Sequence, residues 1–224
     1  MPRLLEPREL ECSSRLEAQV LGRGVKLVAG TDEAGRGSLL GPLYAAAVIL
    51  DAARPIVGLN DSKKLSPGVR SALAIEIREK ALACQVIAVP AREVDELNVY
   101  EATRRAMIRA LLSLDPRPEF AFTDAMPLKN GRTPEFPIPY WSLIHGDARS
   151  ASIAAASILA KVARDDHLDQ LDKKYPQYCL ARNKGYGTRE HLEALARYGP
   201  CPEHRRTYQP VKDFLSPRLP FASA

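Results

Sequence analysis

The order of apolar and polar positions divides the chain into short buried strands and longer helices. Val25-Lys-Leu-Val-Ala-Gly-Thr31 reads as a strand, and Tyr44-Ala-Ala-Ala-Val-Ile-Leu50 as a second, buried one. Gly41-Pro42 supplies the turn chemistry between them. A link this short has no room for a helical crossover, so the pair is expected to be antiparallel. Ser66-Pro67 has the form of an N-cap with proline at the first helical position, opening a helix to about Ala83. A third strand, Gln85–Val89, is halted by Pro90, and a helix over about Val99–Leu114 stops at Asp115-Pro116. Phe120–Asp124 and Tyr140–Ile144 read as the fourth and fifth strands, and an Ala-rich helix runs from about Arg149 towards Lys174. Gly185-Tyr-Gly-Thr188 is a loop opening a short helix near Glu190–Tyr198, and the Pro-rich tail beyond it reads as irregular. Ahead of the first strand, residues 1–24 look like an appended, partly helical segment, with Leu10, Leu16, Val20 and Leu21 roughly on one face. Together these elements predict an α/β fold with a mixed five-stranded sheet flanked by helices.

At 224 residues the chain fits an N-terminal extension (1–24) and a single catalytic domain (25–224). That domain divides into a core of about 25–174 and a helical C-terminal lobe of about 175–224. Hydrophobic residues make up 46% and charged residues 26%, enough apolar material to bury a core. The net charge of +5 is unevenly spread, since residues 173–218 hold ten basic and four acidic side chains. Clustered positive charge suits a nucleic-acid backbone, although a solvated surface would also account for it. Cys12, Cys84, Cys179 and Cys201 form no CxxC pair, and no apolar run approaches the roughly 20 residues of a membrane span. With no secretory h-region either, the expectation is a soluble cytoplasmic protein with reduced thiols and no membrane partner.

Candidate chemistry lies in acids at strand ends. Asp32 and Glu33 stand where the first strand runs out, Asp124 ends the fourth, and Asp147 follows the fifth. If strands one and four are neighbours, Asp32 and Asp124 converge at one edge of the sheet. Crowded carboxylates repel unless a cation neutralises them, and hard oxygen ligands select Mg²⁺ or Mn²⁺. Each acid also has a plainer role open to it. Asp147 could cap the following helix, Asp124 could bind turn amides, and Asp32-Glu33 could be a solvated turn. Asp165, on the order of 24 Å further along the helix if that helix is continuous, cannot share a cluster with Asp147. His145, His167, His191 and His204 lack zinc-ligand spacing. Lys63 and Lys64 follow a short polar loop and could hold phosphates or simply be solvated.

From Asp32-Glu-Ala-Gly-Arg-Gly37 onward the chain resembles bacterial ribonuclease HII along almost its whole length. The matching motifs include Asp61-Ser-Lys-Lys-Leu-Ser66, Asn98-Val-Tyr-Glu-Ala-Thr103, Thr123-Asp124, Gly146-Asp147, Lys184-Gly-Tyr-Gly-Thr188 and His204-Arg-Arg206, in that order. The resemblance implies a ribonuclease H-like fold and an endonuclease cutting 5′ to ribonucleotides in RNA–DNA hybrids and in duplex DNA. It implies two divalent ions, Mn²⁺ or Mg²⁺, held by Asp32, Glu33, Asp124 and Asp147, with Asp32 bridging. It also implies that Gly35, Arg36 and Gly37 meet the 2′-OH at the junction and that Tyr186 stacks on the neighbouring sugar. A monomer is expected. The chain departs from the family pattern at His145, usually lysine, at Ser38, commonly proline, and at Gln177 and Cys179, often glycines. Two rivals remain: another enzyme of related fold, such as ribonuclease HIII or a junction resolvase, and a catalytically silent nucleic-acid-binding module.

Overall fold

A sheet of five strands in the order β3-β2-β1-β4-β5 forms the centre of the computed structural model, which describes residues 12–129 and 136–216. The strands are β1 (Val28–Ala34), β2 (Leu43–Ile49), β3 (Ala83–Val89), β4 (Phe120–Asp124) and β5 (Tyr140–Leu143). β1 pairs antiparallel with β2 and parallel with β4, and β4 pairs parallel with β5. The antiparallel start and the mixed sheet therefore match the expectation. β1 begins three residues later than its apolar pattern predicts and does not end at Asp32. Pairing of Glu33 with Ala45 and of Ala34 with Tyr44 carries the ladder past the last apolar residue.

The helices are α1 (Arg15–Leu21), α2 (Pro67–Lys80), α3 (Ala91–Leu97), α4 (Val99–Leu112), α5 (Ala151–Lys174), α6 (Leu180–Asn183), α7 (Arg189–Tyr198) and α8 (Val211–Leu215). α2 opens as predicted, with Ser66 Oγ accepting from the Val69 amide. Three helices, α3, α6 and α8, were not predicted. α3 begins directly after Pro90, which closes β3 but equally suits the residue ahead of a helix, and it ends at Asn98 in positive-φ backbone. α8 lies in the tail read as irregular. Within α1, Val20 is buried, and Leu16 and Leu21 pack beside it against Val28, Phe122 and Ile153. Leu10 and the last residues of the tail lie outside the described residues.

The chain divides into two compact units. The first comprises the described parts of Met1–Ala34, Tyr44–Ala88 and Thr103–Ala163. Its core sets Tyr44, Ala46 and Val48 with Leu73 and Ile77 of α2 and Ala155, Ala156 and Leu159 of α5. Alanines on both partners allow the helix to lie close to the sheet. A Cβ at Gly30 of β1 would sit 2.2 Å from the Ser152 backbone, so only glycine admits the start of α5 here. The second unit comprises Gly35–Leu43, Val89–Ala102 and the described part of Arg164–Ala224. Leu40, Leu168, Leu171, Tyr178, Leu180 and Ala194 form its core, with Leu39, Leu195 and Val211 in a smaller cluster. Among the described residues, no helix is long and apolar enough to cross a membrane.

Candidate active site

Parallel pairing of β1 with β4 sets Thr31 beside Thr123, so the next residues, Asp32 and Asp124, stand just past the point where this ladder stops. β5 continues this edge, with Leu143 opposite Asp124. The chain then turns through His145, in left-handed backbone at φ 54°, into a short 3₁₀ turn, Gly146–Ala148, that carries Asp147. Gly146 donates its amide to Asp124 Oδ1 at 2.7 Å, tying the turn to the end of β4. Asp32, Asp124 and Asp147 each offer a carboxylate oxygen, and these three lie within 4.8 Å of one another. Asp32 and Asp147 are buried. Positive φ at Ala125 as well as His145 places backbone strain on both sides of this cluster, a cost that rigid functional turns commonly carry.

The electrostatics are those of anions held together against their repulsion. Burial raises the Asp32 carboxyl well above the ordinary range, and Glu33 and Asp124 add to the rise. The Glu33 amide and Ser157 oppose it by hydrogen bonding to the ionised form. Burial likewise pushes Asp147 up to about 6, helped by Asp124 and Asp61 and opposed by Lys63. For Lys63, burial works to lower the ammonium, but Asp61, Asp147, Asp32 and Asp124 outweigh it and hold it above its ordinary value. Such a cluster has a large electrostatic free energy to release on binding a cation. Three hard oxygen donors with no nitrogen or sulfur fit a divalent ion of the Mg²⁺ or Mn²⁺ kind.

The other predicted residues fall into two groups. Glu33 follows Asp32 on β1, where successive side chains alternate between faces, and it lies outside the three-carboxylate group. Its charge still raises the Asp32 carboxyl. Lys63 faces the cluster electrostatically from a short 3₁₀ turn, Ser62–Lys64, capped by Asp61, and both lysines are exposed. Asp61 escaped sequence reasoning. It sits in the same motif as the two lysines, but nothing local marks it as a neighbour of Asp147. Ser62 and Ser157, linked through their hydroxyls at 2.9 Å, are a second buried support that sequence reasoning missed. Asp165 is not in the carboxylate group.

Gly35, Arg36, Gly37 and Tyr186 belong to the second unit, where they are brought together. Gly35 has φ 92°, and a Cβ there would lie 2.1 Å from Arg164 Nε, so glycine is required by both backbone and packing. Arg164 lies 5.3 Å under the Tyr186 ring and donates to the Lys184 carbonyl at 2.7 Å. Arg205 Nη1 and the Tyr208 hydroxyl both donate to the Arg36 carbonyl, at 2.8 and 2.7 Å. Gly37 is different: the nearest atom to a Cβ there is Tyr186 Cε1 at 3.8 Å, ordinary contact. Packing does not demand glycine at this position, and the ring of Tyr186, 42% exposed, stands beside it. Ser38, at the position that is commonly proline, is buried and donates to the Gly35 and Leu40 carbonyls at 3.2 Å each, holding the same turn by another means.

A mixed sheet with an acidic cluster where parallel neighbours end defines a ribonuclease H-type nuclease. The family model for "Ribonuclease HII" matches residues 29–211, and the chain belongs to that family. It is 51% identical over 201 residues to ribonuclease HII of Geobacillus kaustophilus (strain HTA426), covering 90% of this chain and 75% of that one. Among solved structures, the ribonuclease H2 from Pyrococcus horikoshii OT3 superposes with a TM-score of 0.71 at 28% identity, covering 84% of this chain and 97% of that one. The ribonuclease HII in the PCNA:RNase HII complex from Archaeoglobus fulgidus gives 0.69 at 28% identity, with 82% and 96% covered. The chain is thus an endonuclease of the ribonuclease H class acting on RNA-containing nucleic acid, and the family needs divalent metal.

Proposed function

We propose that this enzyme cuts the phosphodiester on the 5′ side of ribonucleotides, both in RNA–DNA hybrids and at single ribonucleotides within duplex DNA, leaving 3′-OH and 5′-phosphate ends. The observation that carries the reading is the convergence of Asp32, Asp124 and Asp147 within 4.8 Å where the parallel β1–β4 pairing stops. These three carboxylates, together with the neighbouring Glu33, would hold the metal. Two divalent ions, when bound, supply activation of water and neutralisation of the leaving oxygen. Both Mn²⁺ and Mg²⁺ suit the donors.

The chain's own residues do the rest. The strand ends and the Gly146 amide orient the carboxylates before substrate arrives. Lys63, drawn toward the acids, offers a cation to a phosphate near them, and the exposed Lys64 extends that positive surface. Bare backbone at Gly37, beside the Tyr186 ring, lets a ribose approach closely, and the 2′-OH both donates and accepts, which is the property by which RNA differs from DNA. Gly35 and Arg36 present the same loop to the junction, with the Arg36 carbonyl fixed by Arg205 and Tyr208. Tyr186 stacks on the sugar that follows the ribonucleotide. The basic 173–218 stretch meets the duplex backbone. The enzyme works as a cytoplasmic monomer.

The test is cleavage of a labelled DNA duplex containing one ribonucleotide, with Mn²⁺ or Mg²⁺, beside an all-DNA control and an EDTA control. A single metal-dependent cut 5′ to the ribonucleotide is expected. Folded protein that binds the duplex but leaves it intact with either metal would overturn the proposal.

A further inference from the structure

Two histidines in the second unit, His191 at 0% and His204 at 1% exposure, face each other with their Nε2 atoms 3.2 Å apart. Neither belongs to the carboxylate cluster. Their remaining nitrogens determine how the protons are arranged. His204 Nδ1 lies 3.0 Å from the Cys201 amide, a group that can only donate, so this nitrogen accepts. His191 Nδ1 lies 3.0 Å from the Tyr186 carbonyl, a group that can only accept, so this nitrogen carries the proton. Burial holds both imidazoles below their ordinary value, and with His191 beside it His204 falls to about 4, so both rings are neutral near pH 7. A neutral ring has one N–H. His204 therefore carries its proton on Nε2 and donates it to the bare Nε2 of His191. Only this tautomer pair leaves no clash of two protons or two lone pairs.

The result is a one-way chain of hydrogen bonds: Cys201 amide to His204, His204 to His191, and His191 to the carbonyl of Tyr186. That carbonyl also accepts from the Thr188 amide at 2.8 Å, and the Tyr186 amide donates to the Asn183 carbonyl at 3.0 Å. Thr188 Oγ1 caps α7 by accepting from the His191 amide, which roots His191 in the helix that follows the loop. Tyr178 packs edge-on against His204, with ring centroids 4.8 Å apart, closing the other side. The exposed Tyr186 ring thus stands on a main chain whose carbonyl is held by a pair of buried imidazoles.

We propose that His191 and His204 are positioning residues for Tyr186: the His204–His191 relay fixes the backbone of the Gly185–Gly187 loop so that the tyrosine ring is presented to the nucleic acid in one orientation. The inference rests on the reading of Tyr186 as a substrate contact. A pair of histidines that only fills the core would affect stability and nothing specific to Tyr186.

A double-mutant cycle separates these roles. The probe is the duplex with one ribonucleotide, and the enzymes are wild type, Tyr186→Ala, His191→Phe and the double variant. Losing a buried hydrogen bond that holds the loop is expected to lower kcat/KM about tenfold in His191→Phe. Mn²⁺ affinity, measured by calorimetry, should stay at the wild-type value. In the Tyr186→Ala background the same change should cost less than about twofold, because the group being positioned is already gone. His191→Asn, which keeps a donor for the Tyr186 carbonyl, should recover most of the loss. An equal loss in both backgrounds, or a folded His191→Phe with wild-type kcat/KM, would overturn the inference while leaving Tyr186 as a contact. Wild-type kcat/KM in Tyr186→Ala would instead remove the substrate-contact reading, and the inference with it. Should His191→Phe fail to fold, ¹⁵N chemical shifts of histidine-labelled wild-type protein decide the matter. They should report protonated Nδ1 in His191 and protonated Nε2 in His204, and the opposite tautomers would overturn the relay.

Discussion

Asp147 offers a perturbation whose two consequences point in opposite directions. Its carboxyl is lifted from an ordinary 3.8 to about 6, first by burial and then by Asp124 and Asp61. At 1.36 kcal/mol per pKa unit, that rise corresponds to about 3 kcal/mol of penalty on the ionised folded state. Local relaxation and water reduce it, and about 2 kcal/mol is the working figure. The sign follows from linkage. A carboxyl whose folded pKa lies above its unfolded pKa favours folding below about pH 4, and that benefit is lost as pH rises through 6. Asp147→Asn removes the ionisation, so the metal-free variant should be more stable than wild type at pH 7.5 and inactive.

For a chain of this length about 2 kcal/mol corresponds to a Tm increase of about 5 °C. The assay is thermal unfolding in EDTA at pH 7.5 and again at pH 4.5. The gap between variant and wild type should be fully open at the higher pH and about half as wide at the lower, where the folded wild-type carboxyl is protonated but the unfolded one is still largely ionised. Adding Mn²⁺ at pH 7.5 should raise the wild-type Tm more than that of the variant, because the ion offsets the repulsion that the substitution removes. A variant no more stable than wild type at pH 7.5, or a gap independent of pH, would refute the account of Asp147 as a strained anion awaiting a cation.

Asp124→Asn should reduce cleavage of a hybrid about a thousandfold or more while leaving hybrid affinity in EDTA within about twofold, as read by fluorescence anisotropy, since the carboxylate serves the chemistry and not the duplex backbone. Glu17 Oε1 accepts from Ser150 Oγ, Ser152 Oγ and the Ser152 amide at 2.6–2.9 Å, so Glu17→Ala should lower stability by about 3 kcal/mol in denaturant unfolding. Gly35→Ala must displace the Arg164 side chain and hold alanine at φ 92°; a loss of about 2 kcal/mol and a KM for the nucleic acid raised about tenfold are expected from unfolding and steady-state kinetics. Cys179 occupies left-handed backbone at φ 53°, where glycine carries no Cβ penalty, so Cys179→Gly should raise stability by about 1 kcal/mol, measured as a higher Tm.

The parts of this molecule that could be read in the sequence are those whose place is set by their own neighbours in the chain. Asp32 and Asp124 were legible because each follows an apolar run that reads as a strand, which puts an acid near the place where the parallel pairing stops. Their convergence then needed only one fact about pairing, the parallel β1–β4 register. Asp147 was legible for the same reason through β5, although the 3₁₀ turn that aims it was not. What escaped is long-range: Glu17 reaches residues 133 and 135 positions away, and Ser62 meets Ser157 across 95. Neither partner carries a local sign of the other. The histidines show the difference most sharply. At a separation of 13 residues, His191 and His204 match no ligand spacing, and their spacing alone dismisses them as unrelated. Yet the bond between them follows from where α7 and the loop after it are packed, and its direction from two main-chain groups that no pattern of residue types reveals. Charged and polar chemistry at strand ends is thus encoded locally, whereas the groups that hold it in place are chosen by packing, and a buried polar residue with no role in the local pattern is where a reader of sequence should look for them.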